Sequence, residues 1–403
     1  MEKLILFGAG KIGRSFIGQL FSQSGFEVVF VDLFKPVIDE LNKKKEYKVI
    51  VKSDRPDQVI LVKNVRGIVS TDVEAIANEI AGCNIVAISV GQAGLPGVIP
   101  ILAKGLINRY QERGKIPLDI IIAENLRNAD EHIKNALLPL LGPYYPIEEL
   151  VGLIETSIGK MVPIMTKEDQ EKDLLQVFAE PYNTLIVDKK AFKNPIPEVK
   201  GVAPKENIKA WVDRKSYIHN LGHAAAAYYG FHKNRSHRFL YEALVNPEVE
   251  AFTVSVMKQS AEILMKKYPG EFSAEDLDGH IFDLLQRFQN KALGDTIYRV
   301  GCDLKRKLYK TDRILSPATD GHLLGCSIDR ILATFGYGLS FRANDDHGNL
   351  FPGDKEFASD LETNGIAFVL ETICGIDPVK EAAIFRQLLT IFQSTHPLSV
   401  IHK

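Results

Sequence analysis

At 403 residues the chain exceeds what one hydrophobic core usually supports, and 45% hydrophobic with 25% charged residues is the composition of an ordinary soluble protein, so two domains are expected. A formal net charge of -2 removes the broad positive field that nucleic acid or an anionic membrane surface would need, so any anion site must be local. The cysteines at 83, 302, 326 and 374 include no C-x-x-C pair, which argues against a disulfide framework or a cysteine zinc site and fits a reducing cytoplasm.

Met1-Glu2-Lys3 leads straight into a strand pattern without signal-peptide features, and no apolar stretch reaches spanning length, so neither secretion nor membrane insertion is expected. The first half then alternates short β-branched runs with longer amphipathic ones, the pattern of a parallel sheet covered by helices. Strands are expected at Leu4 to Phe7, Val28 to Val31, Ile85 to Ser89 and Ile120 to Ala123. Helices are expected at Ile12 to Gln23, Pro36 to Lys43, Val73 to Ile80 and Val98 to Tyr110. Further strands at Val151 to Glu155 and Thr184 to Asp188 extend the sheet. The segment Phe192 to Pro204, with three prolines and a glycine, suits neither a helix nor a central strand, and the domain boundary is placed there, giving domains 1-200 and 201-403. From Glu206 the pattern is helix after helix: 206 to 229, 236 to 245, 248 to 267, 274 to 290 and several more to the C-terminus. The fold class is therefore an α/β nucleotide-type domain followed by an all-α domain, with a cleft expected between them.

Strand Leu4 to Phe7 feeds Gly8-Ala9-Gly10-Lys11-Ile12-Gly13, where a helix begins. A glycine-rich turn alone is a weak signal, but here it follows a strand, opens a helix, and precedes Asp32 by about 20 residues. Gly8 would permit the tight turn, Gly10 the approach of a pyrophosphate, and Gly13 close helix packing. A carboxylate at Asp32 can accept both ribose hydroxyls and repels a 2′-phosphate, which favours NAD over NADP, although Lys35 softens that preference.

The second constellation is Lys215, Asn220 and His223. At about 100° per residue, Lys215, His219, His223 and Asn220 fall at roughly 0°, 40°, 80° and 140° on a helix. Oxidising an alcohol needs a base for the hydroxyl proton and donors for the oxyanion. A desolvated lysine can be that base, Asn220 a donor, and His223 a contact to a neighbouring hydroxyl. The bland alternative is a solvated lysine on an ordinary amphipathic helix; the small, apolar Ala224 to Ala227 run argues for a closely packed one. His219 and His223 have zinc-pair spacing, but no H-E-x-x-H pattern or nearby cysteine completes a site, so no catalytic metal is expected.

From Arg299 to Arg313 six cations (Arg299, Lys305, Arg306, Lys307, Lys310 and Arg313) face two aspartates. Such a run could hold a dianionic phosphate or be a solvated face, and the pattern alone leaves both open.

Taken together these residues resemble the long-chain polyol dehydrogenase family over essentially the whole chain. The resemblance is carried by Phe7-Gly-Ala-Gly-Lys-Ile-Gly-Arg-Ser-Phe-Ile-Gly18, Glu124-Asn125, Ile186-Val-Asp-Lys-Lys-Ala-Phe-Lys193 and Arg214-Lys215 to His223-Ala224. It continues through Arg287-Phe-Gln-Asn290, Arg299-Val-Gly, Arg306-Lys-Leu and Asp312-Arg313. It implies a Rossmann-type N-terminal domain with an extended mixed sheet, an all-α C-terminal domain, and metal-independent hydride transfer between NAD(H) and an acyclic sugar. Lys215 would be the general base, Asn220 and Asn125 the oxyanion-binding pair, and His223 a substrate contact. The segment holding Arg299, Arg306, Lys307 and Arg313 resembles the phosphate-specific branch, which implies D-mannitol 1-phosphate and D-fructose 6-phosphate. Hexuronate reductases and mannitol 2-dehydrogenases use the same machinery and are the in-class alternatives. A non-catalytic dinucleotide sensor is the alternative outside it. The chain departs from the family at Gly159-Lys160, where an Asp-Arg pair is common, which bears on the substrate rather than the reaction. The expected partner is a small molecule, with the chain a monomer or small homo-oligomer.

Overall fold

The computed structural model describes residues 1–395, so the last part of the expected helical run to residue 403 lies outside the described residues. The chain forms two compact units, divided between Val212 and Asp213. No helix among the described residues is long and apolar enough to cross a membrane.

The first unit holds eleven strands: β1 Lys3–Phe7, β2 Glu27–Asp32, β3 Glu46–Val51, β4 Gln58–Lys63, β5 Val65–Val69, β6 Ile85–Ile88, β7 Leu118–Ile122, β8 Val151–Ser157, β9 Val177–Ala179, β10 Leu185–Asp188 and β11 Val202–Lys205. Eight of them form one sheet in the order β11-β10-β8-β7-β6-β1-β2-β5. From β5 to β8 every pair is parallel, whereas β10 runs antiparallel to β8. The sheet is thus mixed, as the fold class requires. Chain order reverses between β1 and β6, so a crevice opens at the carboxyl ends of those two strands, where ligands of such sheets bind.

Parallel sheets are covered on both faces, and β1 shows it directly. Leu4 and Leu6 pack with Phe16, Ile17 and Phe30 on one face. Ile5 and Phe7 pack with Ile80, Leu102 and Leu106 on the other. A strand buried on both sides reads as a continuous apolar run, which is why β1, β2, β6 and β7 are legible in the sequence.

Residues 46 to 69 depart from the expectation, which assigned them no strand. They form β3, β4 and β5, with β3 pairing antiparallel to β4 and parallel to β9 in a separate three-stranded sheet. β4, Gln58-Val-Ile-Leu-Val-Lys63, is an apolar run that nevertheless faces solvent along most of its length, with Val59 58% exposed. The proline-bearing stretch before residue 204 also ends in a strand. β11 carries Pro204, and its edge position tolerates a residue that cannot donate to a ladder. Its pairing with β10 places residues 202 to 205 in the first compact unit.

The second unit is helical among its described residues. Helix Ile208–Arg214 runs without a break into a π-helical segment Lys215–Asn220 and then into helix Leu221–Lys233. Ala224 to Ala227 are fully buried, as their small size suggested. Helices Pro247–Lys267, Ala274–Phe288, Leu315–Leu323 and Asp329–Leu339 surround this central rod. Ser273 caps the second of them by accepting from the Asp276 amide at 3.1 Å. The expected helix at 236 to 245 is shorter, Leu240–Leu244, because Phe239 is held in a β-bridge to Thr296.

Candidate active site

In the first unit, the loop after β1 is built by close backbone contacts. Gly8 has φ +99°, and a Cβ on it would overlap the Ser89 carbonyl at the end of β6. A Cβ on Gly13 would overlap the carbonyl oxygen of Gly8. Gly10 is different: a Cβ there meets nothing within 4 Å, and Gly10 and Lys11 are exposed while Gly8, Ala9 and Gly13 are buried and Ile12 is half-buried. The turn is therefore closed on its inner side and open where a phosphate would approach. The segment Gly13–Gly18 that follows is π-helical rather than the α-helix expected from Ile12.

Asp32 ends β2 beside this loop. Its Oδ2 accepts from the Ala9 amide at 2.7 Å and its Oδ1 from the Phe34 amide at 2.9 Å. Each oxygen can accept a further bond, so the carboxylate remains able to receive ribose hydroxyls. The open turn, the following helix and this carboxylate fit a dinucleotide. Replacing Gly13 by alanine is expected to destabilise the first unit by about 1–3 kcal/mol, because backbone rather than a flexible side chain stands in the way. Thermal denaturation with and without NADH checks it; an unchanged midpoint and affinity would contradict the packing described.

Two groups that periodicity does not single out, and that only the family resemblance brings forward, complete this crevice. Glu124, buried at the end of β7, accepts from the amides of Val90 at 2.7 Å and Gly91 at 2.9 Å, tying the loops after β6 and β7 together. Its pKa is raised by burial, against the pull of those two amides. Asn125 follows, and its carbonyl accepts from Gln92 Nε2 at 2.8 Å. Apart from that resemblance, their position past the strand ends is the signal that marks them.

In the second unit, Lys215 opens the π-helical segment and Asn220 closes it. The Leu221 amide bonds back to the Ser216 carbonyl, the i→i+5 pattern of a π-bulge. This corrects the helical wheel. A wider turn advances each residue by roughly 80°, so Asn220 lies about 40° from Lys215 rather than 140°. The two ends of the segment thereby share one face. π-Bulges concentrate at functional sites, and this one brings a lysine amine and a side-chain amide to the same side of the rod.

Lys215 is partly exposed by surface area, yet burial of its ammonium pushes its pKa down to about 8. Arg313 and Arg306 push the same way and Asp312 opposes them. Arg313 Nε donates to Asp312 Oδ1 at 2.8 Å, and Arg306 Nη1 reaches Asp312 Oδ2 at 3.4 Å. The basic segment therefore lies in the field of the candidate base.

His223 stacks on Phe288 at 4.3 Å between ring centroids, and its Nε2 is buried without a hydrogen bond, 3.5 Å from Asp295 Oδ2. Asp295 is itself paired with Arg299. Burial, then Arg299, Arg313 and Lys307, hold the His223 pKa well below its ordinary value, so the ring is neutral near pH 7. His219 is depressed too, by burial and then Arg287, and it packs edge-on to His223. Among the described residues no three His, Cys, Asp or Glu side chains gather as metal ligands.

The six cations of the basic run divide. Arg299, Arg306, Lys307 and Arg313 all act on Lys215 or His223. Lys305 instead pairs with Glu356, and Lys310 with Glu381, so the solvated-face reading holds for those two. Lys307 is buried, donates to the Val300 carbonyl at 2.6 Å, and is pushed down to about 7 by burial first and Arg313 second.

The family models for the mannitol dehydrogenase Rossmann domain and the mannitol dehydrogenase C-terminal domain match residues 2–201 and 207–367. The fold is also that of a Pseudomonas fluorescens mannitol 2-dehydrogenase, solved as a ternary complex with NAD and D-mannitol. The likeness covers 98% of this chain and 91% of that one, at 16% identity and a TM-score of 0.79. A D-sorbitol dehydrogenase in substrate-free form is similar at 16% identity and TM-score 0.78, covering 97% and 92% of the two chains.

Proposed function

Because the chain belongs to the mannitol dehydrogenase family, we propose that it is an NAD-dependent oxidoreductase interconverting D-mannitol 1-phosphate and D-fructose 6-phosphate. The observation that carries the proposal is a lysine pushed down to about 8 on a π-bulge, in the field of two arginines that a phosphate could bridge. The open turn at Gly10, with Ala9, Lys11, Ile12 and Asp32 around it, supports binding of the dinucleotide in the first unit.

A nicotinamide dinucleotide held by the Gly8 to Gly13 turn and Asp32 would supply the hydride-accepting and hydride-donating chemistry. The remaining work falls to the chain. In oxidation, neutral Lys215 Nζ takes the hydroxyl proton as the C–H bond breaks; in reduction, protonated Lys215 returns it to the new alkoxide. Asn220 donates to the reacting oxygen, and Asn125 is the second donor that the family resemblance implies. His223, neutral near pH 7, can give or accept one bond to a neighbouring hydroxyl. Arg306 and Arg313 offer planar forks to a phosphate, with Arg299 and Lys307 adding positive charge.

The test is NADH oxidation with fructose 6-phosphate, fructose, fructuronate and tagaturonate side by side. Fructose 6-phosphate is expected to have the highest kcat/KM. A higher value for fructose would sink the phosphate assignment in favour of a mannitol 2-dehydrogenase, and a higher value for either uronate would make the chain a hexuronate reductase. Oxidation with none of the four would favour a dinucleotide sensor.

A further inference from the structure

On the side of the central rod away from Lys215, a polar network binds three elements together. Asp213 and Tyr217 stand two residues before and two after Lys215, so they share the opposite face of the helix. Lys267, at the end of helix Pro247–Lys267, places Nζ 2.7 Å from Asp213 Oδ2, 2.6 Å from Asp320 Oδ2 and 3.3 Å from Tyr217 Oη. Tyr217, fully buried, shares its hydroxyl with Ser316 at 2.9 Å and donates to Asp320. Tyr268 donates to Asp213 Oδ2 at 2.7 Å.

Ser316 and Asp320 lie on helix Leu315–Leu323, which begins two residues after Arg313. One ammonium thus ties the segment that carries Lys215 to the helix that follows Arg313 in the chain. Two carboxylates around one lysine are costly to bury unless each is bonded, and here each is. Such a network has more than one function available to it, since a plain apolar contact would hold helices together at less desolvation cost.

We infer that Lys267, with Asp213, Asp320 and Tyr217, is a positioning clamp that fixes the Lys215–Asn220 bulge against the Arg306–Asp312–Arg313 group. The inference rests on reading Lys215 as the proton carrier. The clamp touches no reacting atom. It holds the back of the bulge so that Lys215 stays desolvated on the front, where it faces Arg306, Asp312 and Arg313, while His219 on the same segment is faced by Arg287 and His280 from helix Ala274–Phe288. Loosening the clamp admits water and lets the lysine return toward its ordinary pKa.

The experiment follows the pH dependence of kcat for reduction of whichever of the four ketoses is turned over fastest. Reduction needs protonated Lys215, so kcat falls as pH rises through its pKa. In Lys267→Met this falling limb is expected to move to higher pH by about half a unit or more, with kcat near pH 7 lowered about tenfold and NADH affinity unchanged. Lys267→Arg should restore most of both. Because Lys267→Met leaves two carboxylates facing each other, Tyr217→Phe is the companion variant: it keeps every charge, removes one hydroxyl and should move the limb the same way by less. A folded Lys267→Met enzyme with an unmoved limb overturns the clamp, even where its melting temperature drops. If Lys267→Met does not fold, an unmoved limb in Tyr217→Phe overturns it. A Lys215→Ala enzyme that still turns over would sink the underlying reading instead, so the two failures are distinct.

Discussion

Lys215→Ala is expected to lose about 10²- to 10⁴-fold in kcat while binding NADH as the parent does. The magnitude is that of a general acid–base group. The sparing of cofactor affinity follows from the dinucleotide features at Gly8 to Gly13 and Asp32, all in the first unit. The sign of the pH dependence is fixed by which protonation state each direction consumes. With Lys215 pushed down to about 8, oxidation should rise with pH through that value and level off above it, and reduction should fall through the same value. Neither limb should survive in the alanine variant. Steady-state rates in both directions across pH 6 to 10, with fluorescence titration of NADH, measure all of this. Turnover at the parent rate in Lys215→Ala would remove the lysine from the chemistry.

How much of this was legible in the sequence differs between the two units for a physical reason. Strands buried on both faces must be apolar throughout, so β1, β2, β6 and β7 announce themselves, and the turn between β1 and its helix is marked by glycines that backbone contact requires. The β3–β4 hairpin, half in solvent, carries no such demand. In the helical unit the spacing of Lys215, Asn220 and His223 was visible, but the bulge that brings Lys215 and Asn220 onto one face was not. A π-turn has no residue signature of its own, and an α-helical wheel puts the pair on one side but about 140° apart. The partners that set the electrostatics were equally hidden. Asp295 meets His223, and Lys267 meets Asp213 and Asp320, through contacts between residues distant in sequence. The basic run was ambiguous as a string, because only geometry separates Arg306 and Arg313, sharing Asp312, from Lys305 and Lys310, which are paired elsewhere.

That separation makes the second large prediction specific. Substituting Arg306 and Arg313 together by alanine should raise the KM for fructose 6-phosphate on the order of a hundredfold or more, since each charge-assisted bond contributes about 1.5–3 kcal/mol. The KM for free fructose should change far less. A second signature comes from the field on Lys215. Both arginines hold its pKa down and Asp312 holds it up, so removing the cations leaves burial opposed by an unpaired carboxylate. The lysine pKa must then rise, and the limbs for oxidation and reduction should both move to higher pH. A solvated basic face would produce neither change, and a purely structural role for the pair would raise both KM values together. The double variant therefore separates phosphate recognition from packing: the KM ratio between phosphorylated and free ketose reports the first, and the displaced pH limb shows that the same two side chains lie in the field of the base.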